Sequence, residues 1–475
     1  MNKEPSVSSY QHSGQGGDET DVPLVDVSSS SGYSTSLKDK VSEYENSDYT
    51  AEDSNINSKL SPANVQAKGS TLSAFLNILC LAIGVGSLQL AYTVKQSGWF
   101  GTVFIVFAAG IAFLNSVITV KCMYLKRGGG RIAGYHDIGY EAFGKIGYYV
   151  ITVFNILNII GSIGIYAILA SNNISDMFAQ VNVHIGPRIL MIISTAIMCV
   201  PTLFAKTLAE TLLVSLIGTL TSIIVTVVII AMACLYPIRN GEMHIGNTTV
   251  HTGPISHYGA IPGGFAMALS SVTFAYLGTT IVPHIEGGMR RPEKFNFIFG
   301  LALAVIAAVY VVMAATGYWA YGDQTLSPIT QNFPKLWPTT LADISMTIHV
   351  LLAGPLYLVQ MSLEIEGGLG ISQKKPRIER LWRLGIRIGS ALVILAVSEA
   401  IPFFNDVISL VGALTNPVLI YLAPIACYVK LKGWRNCSML SLVGLALLLA
   451  FGMAVSAFGL VQTIFDIIES FRNAK

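Results

Sequence analysis

Two glycines, Gly84 and Gly86, interrupt an apolar run that reads Asn77-Ile78-Leu79-Cys80-Leu81-Ala82-Ile83-Gly84-Val85-Gly86-Ser87-Leu88. Glycine is ~1 kcal/mol less favourable than alanine inside a helix and bares the backbone. The run therefore offers free N–H and C=O groups, the donors and acceptors that hold a small polar solute. A second run opens on Pro262-Gly263-Gly264, continues as Ser270-Ser271-Val272-Thr273-Phe274-Ala275-Tyr276-Leu277-Gly278-Thr279-Thr280 and ends at Pro283. Ionisable groups in apolar surroundings are few: His349 with Asp343 six residues earlier, Glu399, Glu364 and Glu286. Imidazole changes charge near neutral pH, which suits His349 to binding a proton. Glu286 and Glu364 are expected to pair with nearby arginines, and Asn155 and Asn158 to hydrogen-bond between helices. Nothing here is arranged for catalysis: there is no HExxH pattern and no nucleophile set beside a base. The six cysteines are scattered singly, so no metal and no cofactor is expected. No basic cluster is interleaved with aromatics, and nucleic-acid binding is unsupported.

The elements that must position these residues are membrane spans. Of 475 residues, 52% are hydrophobic and only 12% charged, about half the charge of a soluble domain. From Thr71 onward, stretches of some twenty apolar residues recur, each long enough to cross a ~30 Å hydrocarbon core as a helix. They predict an all-α membrane protein with about eleven transmembrane helices, near 71–95, 99–124, 147–170, 187–204, 211–236, 259–283, 295–319, 339–363, 384–403, 406–429 and 438–464. Backbone in lipid must satisfy its own hydrogen bonds, so runs of this length are helices. Residues 1–68 hold Ser28-Ser29-Ser30-Ser31 and acidic stretches, and read as a disordered tail. The transmembrane domain is then 69–468, and 469–475 a short C-terminal end. Lysines and arginines alternate by loop, with Arg131, Lys145, Lys206, Arg290, Arg291 and Arg383 among those on one side. This bias puts the N-terminus in the cytoplasm and the C-terminus on the opposite face. The sequons at Asn173 and Asn247 both fall in expected non-cytoplasmic loops. Spans one and six, the interrupted ones, hold matching positions in two five-helix halves. Paired interruptions of that kind point to a carrier's site at the membrane midplane.

The stretch Gly84-Val85-Gly86-Ser87-Leu88-Gln89-Leu90-Ala91-Tyr92, followed by Ser97-Gly98-Trp99, resembles the first-helix signature of the amino acid/auxin permease family. Similar stretches follow in order: Pro283-His284-Ile285-Glu286 with Met289 and Pro292, Gly317-Tyr318-Trp319-Ala320-Tyr321-Gly322, then Gly412-Ala413 with Asn416-Pro417. Most members have proline where this chain has Leu90. The resemblance runs from about Thr71 to the C-terminus. It implies a LeuT-like five-plus-five inverted repeat with helices one and six broken, and secondary active transport of amino acids across a lipid bilayer.

An amino acid carries a carboxylate and an ammonium. Amides at Gly86, Ser87 and Leu88 suit the carboxylate, and carbonyls near Ala82, Ile83, Thr273 and Phe274 suit the ammonium. Gly84, Val85 and Ala275 complete the two breaks, and Tyr276 and Tyr166 are candidates to shape the side-chain pocket. A pocket bounded by Ala82, Ala275 and Leu277 offers no countercharge and implies neutral substrates. Asn77 matches an ion-binding position of sodium-coupled relatives. Span eight, however, offers no hydroxyl in Leu351-Leu352-Ala353-Gly354-Pro355-Leu356, and Cys80 stands where those relatives often have asparagine. Sodium wants oxygen ligands. Proton coupling through Asn77, His349 and Glu399 is therefore expected over sodium coupling. A sodium-coupled carrier and an amino-acid sensor on the same fold are the alternatives. Plasma membrane and vacuolar or lysosomal membrane are both compatible with the sequence.

Overall fold

A computed structural model describes residues 70–126, 128–204, 211–245, 248–276, 279–369, 371, 376–401 and 403–473. The tail 1–68, Leu277, Gly278, Lys206 and Asn247 lie outside them.

The first interrupted segment begins when Ser70 caps helix α1 (Thr71–Ala82), its hydroxyl accepting the Ser73 amide at 3.1 Å. The helix stops where Ile83 turns to ψ 74° and Gly84 extends to φ −138°, ψ −140°. A 3₁₀ turn (Val85–Gln89) leads into α2 (Leu90–Ser97), bent 42° from α1. Gly98, at φ +72°, ends it. A side chain there would lie 2.7 Å from the Tyr258 carbonyl, so that position needs glycine on both counts.

Helix α3 (Phe100–Met123) follows, then α4 (Tyr135–Gln180), α5 (Pro187–Phe204) and α6 (Thr211–Leu235). Helix α4 is 46 residues long and kinks at Gly144, φ +65°. It starts before the expected 147–170 and runs on past its end. Among the described residues, a small antiparallel hairpin, β1 (Glu242–Ile245) with β2 (Thr248–His251), departs from the all-helical expectation; Glu242 faces His251 and Ile245 faces Thr248. The second interrupted segment is α7 (Phe265–Ala275) and α8 (Val282–Gly287). Then come α9 (Phe295–Tyr321), α10 (Trp337–Gly368) and α11 (Pro376–Ala400). Helix α12 (Phe404–Asn416) joins α13 (Ala423–Lys432) through a π-helical turn at Pro417–Leu422, where proline removes a ladder donor. Helix α14 (Met439–Asn473) is helical well past the expected boundary at 468.

Among the described residues, eight helices are long and apolar enough to cross a membrane, and the bent pair α1 and α2 makes a ninth. The other two expected spans are the short α5 and the divided α7 and α8. Helix α10 packs on α6 and α4, and α12 on α4, α7 and α14, so that the broken helices sit inside the bundle. Helix α14 lies at its edge, with only 11% of its apolar window buried against 72% for the segment 404–432. Lipid supplies no hydrophobic drive between helices, so close packing and polar contacts hold such a bundle. Buried tyrosines on α9 (Tyr310, Tyr318 and Tyr321) supply several of those polar contacts.

Candidate functional site

The two interruptions meet. A Cβ on Gly86 would stand 3.0 Å from the Ala275 Cα, so the absence of a side chain is what lets the breaks touch. Ser87 closes the first turn, with its hydroxyl (2.7 Å) and its amide (3.1 Å) both donating to the Gly84 carbonyl. The Ser87 amide is thus engaged, whereas the amides of Val85 and Gly86 open the turn, where a helix leaves its first donors unpaired. Tyr310, fully buried on α9, donates its hydroxyl to the carbonyl of Ala82 and lies 3.2 Å from that of Ala275. One side chain therefore bridges the carbonyls at which α1 and α7 end.

A cavity of about 80 Å³ lies at this junction. One water needs only ~10–15 Å³ on the same measure. Of the expected binding residues, Ala82, Val85, Gly86, Phe274, Ala275, Tyr276 and Tyr166 line it. Ile83, Gly84, Ser87 and Thr273 stand behind the wall; Thr273 accepts the Asn416 amide at 2.8 Å and donates to the Ser270 carbonyl. The Tyr276 hydroxyl is buried and has no partner among the described residues. Sequence reasoning missed much of the polar lining: Asn158 and Ser162 on α4 in line with Tyr166, and Tyr357 and Gln360 on α10. Their signal was the spacing 158, 162, 166, one face of a helix. None of the described lining residues is charged.

Beside the first break, His349 on α10 is 4% exposed. Its Nδ1 lies 3.2 Å from the Gly218 carbonyl and 3.4 Å from the Ser222 hydroxyl, both on α6. A carbonyl only accepts, so Nδ1 carries the hydrogen and Nε2 is the free basic nitrogen. That nitrogen faces Gly84, 3.1 Å from where a Cβ would stand. Cys80 closes the same corner, its Sγ 2.7 Å from the Cβ position of Gly218. Asn77, two turns before the break, is half-buried on α1 and does not line the cavity.

The remaining polar groups lie elsewhere. Glu399, at the end of α11, is 3.8 Å from the exposed Arg188 and does not line the cavity. Asp343 is buried on α10, with its backbone carbonyl 3.4 Å from the Asn173 amide. Asn173 itself is 5% exposed inside α4, so its sequon is packed helix rather than the expected loop. Among the described residues Glu364 has no arginine partner, contrary to expectation. Its Oε1 accepts from Asn155 at 2.7 Å and from Gln360 at 3.4 Å. The arginines Arg383 (3.1 Å) and Arg387 (3.7 Å) reach Glu366 instead. Glu286 does pair as expected: Arg131 holds it through Nε (2.7 Å) and Nη2 (2.6 Å), and Tyr124 donates to its other oxygen. Three successive glycines at positive φ, Gly128 to Gly130, carry the chain to Arg131, which also donates to the Pro283 carbonyl.

Comparison with known proteins matches residues 67–465 to the family described as transmembrane amino acid transporter protein. The chain is 27% identical to the amino acid transporter AVT1I of Arabidopsis thaliana over 83% of its own length and 94% of that protein's. It is 25% identical to AVT1D of the same plant over 75% of its length, spanning 62% of that relative. The vesicular inhibitory amino acid transporter of Xenopus tropicalis is 25% identical over 82% of this chain and 75% of its own. In fold it is similar to Mhp1, a nucleobase-cation-symport-1 family transporter, in the inward-facing conformation. That match has a TM-score of 0.57 at 14% identity, over 85% of this chain and 90% of that one. A Na⁺-coupled sialic acid symporter in an outward-open state matches with a TM-score of 0.53 at 11% identity, over 84% and 89%. Both neighbours share the LeuT-like fold.

Proposed function

Because the chain belongs to the transmembrane amino acid transporter family, a family of membrane carriers and not of enzymes, we propose that it moves neutral amino acids together with protons. The observation that carries this reading is the meeting of two broken helices over a cavity. The amides of Val85 and Gly86 face an amino acid's carboxylate, as suits the start of a helical turn. The ammonium takes carbonyls at the ends of α1 and α7. A lining without charged side chains favours a neutral third group, since an ionised one would lack a countercharge.

Proton coupling is supported by His349. Its free Nε2 faces the break, and a proton taken up there places a positive charge beside the Gly84 backbone. Span eight supplies the His349 imidazole here, and its residues 351–356 carry no side-chain oxygen, which favours a proton over sodium. With the N-terminus in the cytoplasm, α1 and α8 are the cytoplasmic halves of the broken spans, and α2 and α7 the outer halves. All eleven spans then cross, including α5 and the divided sixth.

The test is uptake of labelled neutral amino acids into liposomes holding the purified protein. An inward proton gradient should drive accumulation, and His349→Ala should abolish that response while leaving gradient-free exchange measurable. Uptake that follows sodium and ignores pH overturns the coupling. Binding without any flux overturns the carrier in favour of a sensor.

A further inference from the structure

One turn beyond the cavity, toward the end of α10, a carboxylate and an amide each leave one buried oxygen without a partner among the described residues. Glu364 Oε1 is satisfied by Asn155 Nδ2 at 2.7 Å and by Gln360 Nε2 at 3.4 Å, but Oε2 is buried and bonded to nothing. Asn155, 5% exposed on α4, donates through Nδ2 while its Oδ1 is also buried and bonded to nothing. Both orphan atoms are acceptors. An unpaired buried acceptor costs on the order of 1–3 kcal/mol, and a buried ionised carboxylate costs more.

A single proton satisfies both. On Oε2 it makes the carboxyl a donor, and the waiting acceptor belongs to the amide that already binds Oε1. Carboxylic acid and amide then form a two-bond ring, N–H to C=O one way and O–H to C=O the other, joining α10 to α4. We propose that Glu364 and Asn155 form a proton-binding site at the α1/α8 mouth of the cavity, separate from His349. Loading and release exchange this proton with water at the mouth. Gln360, which lines the cavity and also touches the carboxylate, links its state to occupancy. The other titratable groups within electrostatic reach are His136 and Tyr148 on α4. Arg383 and Arg387 on α11 are taken by Glu366, two residues along. No arginine or lysine forms an ion pair with Glu364 among the described residues. The site's part in transport rests on reading the cavity as the substrate path; its protonation does not.

Infrared difference spectroscopy on the purified full chain, titrated from acid to alkaline pH, reads the site directly. The wild type should show a protonated-carboxyl band that persists at neutral pH, disappears in Glu364→Gln and shifts in Asn155→Leu. In liposomes, Glu364→Gln reproduces the neutral form, so it should keep amino acid exchange and lose the step of the pH profile read from the α1/α8 face, while the step that belongs to His349 remains. Wild-type and Glu364→Gln spectra that match in that band overturn the proposal. So does an unchanged pH profile in a variant that exchanges normally, and so does a Glu364→Gln chain that fails to insert. If the wild type moves no amino acid at all, the proposed carrier fails while the band still decides the proton site.

Discussion

On the α2/α7 side of the cavity, backbone meets backbone; on the α1/α8 side, side chains reach across to hold elements that would otherwise stand apart. The amides of Trp99 and Phe100 donate to the carbonyls of Tyr258 and Gly259 at 2.9 and 3.0 Å, and Ile261 returns a bond to Ser97. Trp99, His257 and Tyr318 pack edge and face over that seam. Gln89, fully buried, ties the first break to the Ser271 carbonyl at 3.1 Å. The opposite side presents Ile78 and Leu81 of α1 and Ile285 of α8 to the cavity, and its strongest tether is the buried Glu286 with Arg131. Backbone seams draw on N–H and C=O groups that every residue but proline carries, so their strength is spread over several positions. A side-chain tether concentrates its strength in one or two residues, and it is released by breaking a single ion pair.

That contrast is open to direct attack. Arg131→Ala leaves a carboxylate that is 1% exposed without its cation, which should cost about 3–5 kcal/mol and show as a large fall in melting temperature in detergent. An unchanged melting temperature would mean that the tether carries no strength. Gly86→Val presses a side chain into Ala275. Overpacking of roughly 1–3 kcal/mol should cut uptake about tenfold or more, with the protein still monodisperse. Wild-type uptake in that variant would show that the breaks need not touch. Tyr310→Phe removes one hydroxyl from two carbonyls and should cost about 1–2 kcal/mol in stability, with a matching loss of exchange rate. Lys335→Ala breaks a 2.5 Å pair with Asp176 whose partners are 40% and 44% exposed. It should move the melting temperature by less than about 1 kcal/mol would, because solvent screens such pairs.

The breaks were legible because glycine pairs in an apolar run are costly, and a cost of that kind marks a purpose. The spans were legible from hydropathy, which is a sum over many residues and forgiving of local detail. Tyr310 was not, since a tyrosine inside residues 295–321 reads as core filler. Its partners lie 228 and 35 positions away, and only the folded chain brings them within reach. Glu364 was misassigned for a related reason. Arginines follow it closely along the chain, but Glu366, about 200° further round the same helix, is the carboxylate that faces them. Asn173 fits the sequon pattern, yet the helix simply continues through it. In each case the pattern recorded neighbours in sequence, whereas the chemistry depends on which face of a helix a residue occupies.

Tyr310 has one further consequence. A hydroxyl owns a single proton, and here two carbonyls from separately broken helices compete for it. Rotation about the C–O bond serves one claimant fully or both weakly. Whatever draws the Ala82 carbonyl away therefore strengthens the bond to Ala275, and the reverse holds equally. The two interruptions are joined by rivalry for a shared donor as well as by touching, and neither end shifts without changing how firmly the other is held.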